Sequence, residues 1–397
     1  MYDNTVAQLV ARKYKEEPLK DFASVNFNTK LSDLNLNWRE SDLPERERTK
    51  HVHRLHPYLG KFIPQLVEIF LRKYRPHLVY DPFCGCGTTL VEANVLGIDS
   101  IGTDISQFNV LLSKVKTGEY DLKLVEGELR EILKRSHDLV LKSGSDERTS
   151  KSISTENEYV KTWFAKNTQK DLLAYLSLIK DYTYQDLLRI VLSRSARSAR
   201  LVTHFDLGFP KKPQIGPYFC YKHGQTCQPV NEAYKFLYRY TLDTIERIKE
   251  FAKIRTKSSV AVYHADSRQV ELPKDIDMVF TSPPYVGLID YHEQHKYAYE
   301  LFGLKNNDIR EIGPAKNGQS EQARKDYIKG TNDVILHTRD HMSKDAIMTI
   351  VVCDKFSLYN PGSVGFKSIG RVERHVNRRT GRSESAFYES ILIWRKV

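Results

Sequence analysis

The sequence predicts an α/β protein built on a doubly wound, mostly parallel sheet with a largely helical insertion. Three observations support this fold class. The short apolar strand Leu78–Tyr80 leads through a Gly-x-Gly turn into a helix over Leu90–Leu96, which forms a first βα unit. A second strand ends in Asp104, and a third apolar run, Ile276–Phe280, is followed by two prolines. Open α/β sheets bind ligands where their strands end, so all three observations point to one sheet edge.

Composition limits the possible classes of protein. The 397 residues are 40% hydrophobic and 28% charged, which is typical of a globular chain of two or three domains, or of one domain with an insertion. We expect no membrane association, because no apolar run approaches the length of a membrane span. The N-terminus lacks a signal-peptide pattern, and the five cysteines lack disulfide-framework spacing. We therefore expect a cytoplasmic protein.

The charge of the chain is more informative. A formal net charge of +11 favours a polyanionic partner, and nucleic acid is the leading candidate. A merely basic surface is the alternative.

Changes in composition and periodicity along the chain divide it into four regions. Residues 1–50 are polar and show little periodicity, so we expect an irregular arm. The alternation of strand and helix begins in 51–116 and resumes in 258–397, which ends with a basic loop. Between them, 117–257 form the helical insertion, for which we predict a role in target recognition.

Around the first two strands, candidate ligand-binding residues follow from local chemistry. The glycines at 85 and 87 allow the backbone to approach a nucleotide, and the helix N-terminus after them offers free N–H groups. Asp104, about 20 residues past the turn, is where such folds bind ribose hydroxyls. A helix cap is the alternative role for both Asp81 and Asp104.

The segment Thr281–Tyr285 is the candidate catalytic loop. Two prolines end strand pairing and stiffen the loop, so the Ser282 hydroxyl, the Pro283 carbonyl and the Tyr285 ring lose little freedom on binding. A rigid pair of acceptors beside an aromatic face suits a flat ring that bears an amino group. An ordinary strand-to-loop turn with a buried tyrosine is the alternative.

In the insertion we predict a mobile loop over Ser143–Asn157 and three helices, near 170–180, 185–200 and 231–254. Arginines recur at every third position of the second helix, which suits phosphate contact, although a solvated helix face is the alternative. A second basic cluster precedes a predicted antiparallel edge strand at Glu389–Trp394. The candidate DNA contacts from both clusters are Arg194, Arg197, Arg200, Arg378, Arg379 and Arg382; Arg371 and Arg374 accompany the second cluster.

One group of residues is typical of metal ligands, though only weakly. Cys220, His223 and Cys227 lie close in sequence, but they do not form a Cys-x-x-Cys pair and no second pair lies nearby. We therefore predict no metal site.

The motifs together resemble the amino-methylating DNA methyltransferases that use S-adenosylmethionine. The similarity covers about 52–116 and 258–354, and it includes His56-Pro57, the Asp81-to-Thr89 motif, Gly102-Thr103-Asp104 and Thr281-Ser282-Pro283-Pro284-Tyr285. It implies a Rossmann-like methyltransferase fold. It also implies that the Ser-Pro-Pro-Tyr loop, Ser282, Pro283, Pro284 and Tyr285, holds the target base. The implied cofactor-binding residues are His56, Lys61, Phe62, Asp81, Phe83, Gly85, Gly87, Thr88, Asp104 and Asp266, although a helix cap is the alternative for Asp266.

The expected reaction is methyl transfer to the 4-amino group of cytosine, in a base extruded from double-stranded DNA. Serine before the two prolines resembles cytosine-modifying members, and adenine 6-amino transfer is the alternative. RNA methylation, protein-glutamine methylation and a non-catalytic nucleic-acid-binding subunit are the competing functions. A restriction-modification system is the expected setting, with a cognate endonuclease as a candidate partner.

Overall fold

The computed structural model describes residues 17–208, 210–376 and 387–397, with Phe387 described by its backbone only. Within those ranges, seven strands form one sheet in the order β5-β2-β1-β6-β7-β9-β8, and β3 and β4 form a separate hairpin. The strands are β1 Leu78–Asp81, β2 Asp99–Asp104, β3 Tyr218–Cys220, β4 Gln225–Cys227, β5 Val260–His264, β6 Ile276–Thr281, β7 Met342–Val352, β8 Phe366–Val376 and β9 Phe387–Lys396.

The pairing confirms the predicted fold class. Strands β5, β2, β1, β6 and β7 are parallel to one another, whereas β9 runs antiparallel to both of its neighbours. The central strands are buried on both faces, as parallel sheets usually are. In β7, for example, Ile347 and Val351 pack into the core on one face of the sheet, and Met348 and Ile350 pack into the core on the other.

Helices cover both faces of the sheet. They are α1 Glu45–Arg48, α2 Pro64–Tyr74, α3 Thr88–Val95, α4 Gln107–Thr117, α5 Leu122–Lys142, α6 Glu147–Ser152, α7 Glu158–Trp163, α8 Lys166–Leu178, α9 Gln185–Ala199, α10 Tyr234–Ala252, α11 Tyr291–Gln294, α12 Lys296–Phe302 and α13 Glu321–Arg339. Proline at the first position of α2 suits a helix start, because its fixed φ is helical and the N–H that it lacks would have no partner within the helix. None of the helices in the described ranges is both long and apolar enough to cross a membrane.

The described segment before residue 51, residues 17–50, is mostly irregular but packed. Leu34, Leu36 and Trp38 are buried in the same hydrophobic cluster as Phe70 of α2. The Trp38 indole N–H donates a hydrogen bond to the Leu19 carbonyl at 2.7 Å. Residues 17–50 therefore contribute to the core on one face of the sheet.

Helices α5 and α7 to α10 pack together and against α4, whose Phe108 and Leu112 belong to the same core cluster. Two features differ from expectation. A long helix, α5, precedes the predicted helices, and α6 lies inside the stretch predicted to be a mobile loop. The Asp146 carboxylate caps α6 by accepting from the amides of Arg148 and Thr149, which is why this polar stretch can be helical.

The C-terminal region also differs from expectation. The sequence predicts a basic loop around residues 371–382, but residues 366–376 form β8, which occupies the sheet edge and places β9 in the interior. Arg374 is only 2% exposed and pairs with Glu389 at 3.2 Å. A buried guanidinium is tolerated because this carboxylate compensates its charge.

Candidate active site

A cavity opens at the carboxyl ends of β1, β2, β5 and β6, with an empty volume of about 870 Å³ that includes space open to solvent. Such edges hold the ligands of open α/β sheets. Nine of the predicted site residues line it: Lys61, Phe62, Phe83, Gly85, Thr88, Asp104, Asp266, Ser282 and Pro284.

Asp81 connects the glycine turn to the end of β6. It is 1% exposed, and its carboxylate accepts hydrogen bonds from the hydroxyls of Thr89 at 2.7 Å and Thr281 at 2.6 Å. Burial raises the pKa of this carboxyl to about 6. The N-cap of α3 is Gly87, so Asp81 is not a helix cap. Its carboxylate instead joins the helix after the glycine turn to the Thr281–Tyr285 segment.

The glycine turn has no room for side chains. Gly85 and Gly87 adopt φ values of +50° and +76°. A Cβ on Gly85 would meet the Tyr58 hydroxyl at 3.1 Å, and one on Gly87 would meet Ser113 at 2.9 Å. Glycine is therefore required both by the left-handed backbone and by close neighbours, and the turn can approach a ligand closely.

Asp104 ends β2 at the cavity wall. Its carboxylate accepts hydrogen bonds from the amides of Gly85 at 3.0 Å and Ser106 at 2.8 Å, and from the Asn109 side chain at 3.2 Å. Burial raises its pKa nonetheless. The N-cap of α4 is Ser106, so the helix-cap alternative for Asp104 fails.

Lys61 lies in the cavity wall as a half-buried cation. Its ammonium donates to the His53 carbonyl at 3.2 Å, and no ion pair to Lys61 exists within the described parts of the chain. Burial, and then the nearby Lys116 charge, lower its pKa to about 8. An anion bound beside Lys61 would relieve both effects.

His56 lies behind the cavity, not in its lining. It is 1% exposed, and its ring is enclosed by Phe108, His295 and Tyr297. Its Nε2 lies 3.3 Å from the Tyr297 hydroxyl. Burial lowers its pKa well below the usual value, so His56 is a neutral packing residue here and the expectation of direct cofactor contact is not met by this geometry.

The catalytic loop follows β6 at the far side of the cavity. The Ser282 hydroxyl donates to the Val351 carbonyl of β7 at 2.8 Å, which leaves its lone pairs available to accept. Tyr285 lies next to it, outside the cavity lining, and its hydroxyl donates to Glu389 of β9 at 3.1 Å. Strands β7 and β9 therefore fix the loop from the side opposite to the cofactor motifs.

Asp266 follows β5 and lines the cavity. No helix starts after it; its carboxylate holds a turn by accepting from the Arg268 amide at 3.0 Å and pairs with the Arg268 guanidinium at 2.6 Å. The helix-cap alternative therefore fails. Burial alone would raise the pKa of Asp266, but the hydrogen bonds from Arg268 and its positive charge together lower it.

Comparison of the sequence with known proteins identifies the family of the chain. No family model matches the chain. The type II methyltransferase M.MjaII of Methanocaldococcus jannaschii is 38% identical to it, over 88% of this chain and 81% of that protein. The chain belongs to the type II methyltransferase family.

More distant relatives carry the same description. The type II methyltransferase M.MvaI of Kocuria varians is 22% identical over 67% of this chain and 61% of that protein. The type II methyltransferase M.BsoBI of Geobacillus stearothermophilus is 25% identical over 73% of this chain and 58% of that protein. Among solved structures, the rRNA methyltransferase aviRa of Streptomyces viridochromogenes is 13% identical with a TM-score of 0.33, over 85% of this chain and 88% of that one. A score this low carries no weight for the fold, which the strand order establishes.

Other residues that line the cavity have no sequence motif. Tyr58 and Tyr291 stack at 5.9 Å on one wall. Arg310 and Glu311 come from a loop between α12 and α13, where the buried Glu311 accepts from the His292 amide at 3.0 Å. Only the position of Tyr58 between the predicted His56 and Lys61 could have indicated any of these residues.

The arginines of α9 do not form the solvent-exposed surface that their spacing predicted. Arg194 is buried, pairs with Asp243 at 2.6 Å and lies 4.1 Å from the Tyr240 ring centroid. Arg200 is buried against the Tyr297 ring and donates to the Leu207 carbonyl at 2.7 Å. Arg197 is half-buried between them. Three-residue spacing cannot distinguish an exposed face from one covered by α10 and α12.

The second basic cluster is only partly described. Arg378, Arg379 and Arg382 lie outside the described residues. The strands on either side of them are described, and the pair Val376 and Phe387 closes the β8–β9 ladder at the end where Val352 finishes β7. Both flanking strands therefore reach the sheet edge that carries the catalytic loop.

Proposed function

We propose that the protein is a site-specific DNA methyltransferase that transfers a methyl group from S-adenosylmethionine to the 4-amino group of a flipped-out cytosine. One observation carries the proposal: the Ser282 loop and the Asp104 carboxylate line the same cavity. A methyl donor held at one side would meet a target amino group held at the other. The membership in the type II methyltransferase family supports the same reaction class.

The residues of the cavity fit the cofactor. The Asp104 carboxylate can accept from two ribose hydroxyls, and the Asp266 carboxylate would bind the adenine end. Lys61 offers an ammonium without an ion-pair partner among the described residues, which suits the methionine carboxylate. When bound, S-adenosylmethionine would supply a sulfonium methyl group as the electrophile.

The catalytic loop would then act on the nucleophile. An aromatic amino group is a weak nucleophile, because its lone pair is delocalised into the ring. Ser282 and the Pro283 carbonyl can accept its two hydrogens and so favour a pyramidal nitrogen whose lone pair faces the methyl group. Because the Ser282 hydroxyl donates its hydrogen to the Val351 carbonyl, its oxygen remains available to accept a hydrogen bond from the amino group. Orientation in the transition state, rather than a strong base, would supply the rate enhancement.

Tyr285 would contribute a stacking face for the extruded base. A paired base cannot bring its amino group into a cavity at a sheet edge, so the base must leave the duplex. The hydrogen bond from the Tyr285 hydroxyl to the Glu389 carboxylate restrains the ring. The net charge of +11 supports a polynucleotide substrate, and we further propose a cognate restriction endonuclease as a partner.

Adenine is the second candidate substrate, because the Ser282 hydroxyl and the Pro283 carbonyl can also accept the two hydrogens of a 6-amino group. The deciding experiment incubates the full-length protein with mixed-sequence duplex DNA and isotopically labelled S-adenosylmethionine, followed by nucleoside digestion and mass spectrometry. We expect labelled 4-methylcytosine. Labelled 6-methyladenine would overturn the cytosine assignment, and label found only with an RNA substrate would overturn the DNA assignment. The Ser282→Ala protein serves as the control.

A further inference from the structure

We propose that His204, Cys220, His223 and Cys227 form a zinc site. The site lies at the β3–β4 hairpin, in the insertion between the two halves of the sheet, and does not depend on the proposed function. Each residue offers one ligand atom, and these four atoms all lie within 4.8 Å of one another. Two thiols and two imidazoles are a ligand set that favours zinc, and four protein ligands are typical of a structural site.

The pairwise distances fit one tetrahedral ion. Zinc bonds of about 2.3 Å to sulfur and about 2.0 Å to nitrogen place neighbouring ligand atoms about 3.5 Å apart at the tetrahedral angle. The Sγ atom of Cys220 lies 3.6 Å from Nδ1 of His204, and the Sγ atom of Cys227 lies 3.4 Å from Nδ1 of His223. Little movement is needed to bring all four atoms into coordination.

The hairpin geometry explains why the cysteines converge. Cys220 pairs with Gln225 and Tyr218 pairs with Cys227, so the two cysteines are diagonal neighbours on one face of the ladder. The turn between the strands is closed by the amides of His223 and Gly224, which donate to the Cys220 carbonyl at 3.0 and 2.8 Å. The turn thereby holds His223 beside the cysteine pair.

The fourth ligand comes from a different segment. His204 precedes the hairpin, and its amide donates to the Tyr218 hydroxyl at 3.0 Å. Its ring lies 4.7 Å from the His223 ring, centroid to centroid. Metal binding would therefore connect the chain after α9 to the hairpin, instead of only bridging the two strands.

The hairpin needs such a connection. Each strand has three residues, and two-stranded hairpins are marginally stable by themselves. Its aromatic side chains do not build a core, because Phe219 is 53% exposed and Tyr221 is 82% exposed. Cys220 by contrast is fully buried at 0% exposure and Cys227 is 9% exposed. The buried side of the hairpin is thus made of the two proposed cysteine ligands.

The test measures metal content. The full-length protein, expressed with zinc in the medium and purified without chelators or a histidine tag, is analysed by elemental mass spectrometry. We expect about one zinc per chain, which is the stoichiometry of a closed four-ligand site. Cys220→Ser and Cys227→Ser should each lose most of the zinc. Cys353→Ser is the matched control, because Cys353 lies at the end of β7, away from the hairpin, and it should retain the metal.

Cobalt replacement gives a second measurement. Co²⁺ added to the chelated protein should produce the visible bands of a tetrahedral ion and a thiolate-to-cobalt charge-transfer band. His223→Ala, which changes an exposed side chain, keeps the test available if the buried cysteine variants fail to fold, and it should weaken metal retention while circular dichroism stays unchanged.

Three results would overturn the proposal. Wild-type protein that contains no zinc and takes up none when Zn²⁺ is added would do so. Folded cysteine variants that keep as much zinc as the Cys353→Ser control would also do so. A Cys220–Cys227 disulfide, found by peptide mass spectrometry in protein purified under reducing conditions, would replace the metal explanation.

Discussion

The residues on the two sides of the cavity are held by hydrogen bonds to partners at different distances in sequence. On the proposed cofactor side, Asp104 accepts hydrogen bonds from Ser106 and Asn109, two and five residues further along the chain, and from Gly85, 19 residues before it. On the catalytic side, Ser282 bonds to Val351 and Tyr285 bonds to Glu389, which are 69 and 104 residues away. The proposed cofactor side presents a carboxylate held by residues near it in sequence, whereas the proposed catalytic side presents neutral acceptors whose contacts come from distant strands of the sheet. The two sides should therefore respond to substitution with different losses.

The largest expected effect is on the catalytic side. Ser282→Ala should lower the rate of methyl transfer by roughly 30- to 1000-fold, because one oriented hydrogen bond in a transition state contributes about 2–4 kcal/mol. Affinity for S-adenosylmethionine should stay nearly unchanged, since Asp104 and Lys61 are intact. Single-turnover kinetics and calorimetry measure the two quantities separately.

The contrast between the two sides would fail if Ser282→Ala methylated DNA at the wild-type rate. Ser282→Thr is the matched control: it keeps the hydroxyl and should recover part of the rate if the β-methyl group fits. Loss of both the rate and cofactor affinity in Ser282→Ala would instead indicate that the loop is needed to form the whole cavity.

The second effect is on the cofactor side and should have the opposite pattern. Asp104→Ala should weaken S-adenosylmethionine binding by about 1.5–3 kcal/mol, the range for hydrogen bonds to a charged group. Asp104→Asn, which keeps one carbonyl acceptor, should lose less. Calorimetry on both variants provides the measurement, and a folded Asp104→Ala protein with wild-type affinity would remove Asp104 from the cofactor site.

The same contrast explains which parts of the site could be predicted from sequence. The glycine turn, Asp104 and the proline loop carry their chemistry in neighbouring residues, so a local motif identifies them. Arg310 and Glu311 enter the cavity from a loop after α12, and no local pattern marks them. The strand order at the C-terminus likewise depends on long-range pairing, so the composition of the arginine-rich stretch predicts a loop where β8 forms.

The third effect concerns pH. Lys61 in the free protein has a pKa near 8, lowered from the ordinary 10.5 by burial, so it is cationic below that pH and neutral above it. A bound carboxylate favours the cation, so binding above pH 8 requires uptake of a proton. Affinity for S-adenosylmethionine should be flat below pH 8 and then fall by up to about tenfold per pH unit, since one pKa unit corresponds to about 1.4 kcal/mol.

Calorimetry across this pH range measures the effect, and Lys61→Gln is the control. The variant should bind more weakly at neutral pH, and its affinity should not show the decline above pH 8. The two curves should converge as the wild-type lysine loses its charge. A wild-type decline that persists in Lys61→Gln would assign the titration to another group.

Charged groups outside the cavity were harder to predict, because sequence shows where arginines recur and not which partners they have. Arg194 finds Asp243 on α10, 49 residues away, and Arg374 finds Glu389 across the β8–β9 ladder. In both cases a carboxylate distant in sequence converts an expected phosphate contact into an internal ion pair. His204 illustrates the same limit, since it joins Cys220 only when the chain after α9 turns back toward the hairpin.

The smallest effect separates these internal arginines from ones that contact DNA. We expect Arg378→Ala to reduce the slope of log affinity against log salt by about 0.9, the value for one phosphate that is no longer neutralised, which is roughly a three- to fourfold change between 50 and 200 mM salt. Lys274→Ala removes an equal charge before β6, at the end of the sheet opposite the candidate catalytic loop, and should leave the slope unchanged.

Arg194→Ala should instead lower thermal stability, because Asp243 would lose a close ion-pair partner. The slope should stay near that of the wild type. Binding titrations by fluorescence anisotropy at several salt concentrations give all three slopes. Equal slopes for Arg378→Ala and Lys274→Ala would show that Arg378 does not contact phosphate, and a reduced slope in a stable Arg194→Ala protein would return the α9 arginines to the DNA interface.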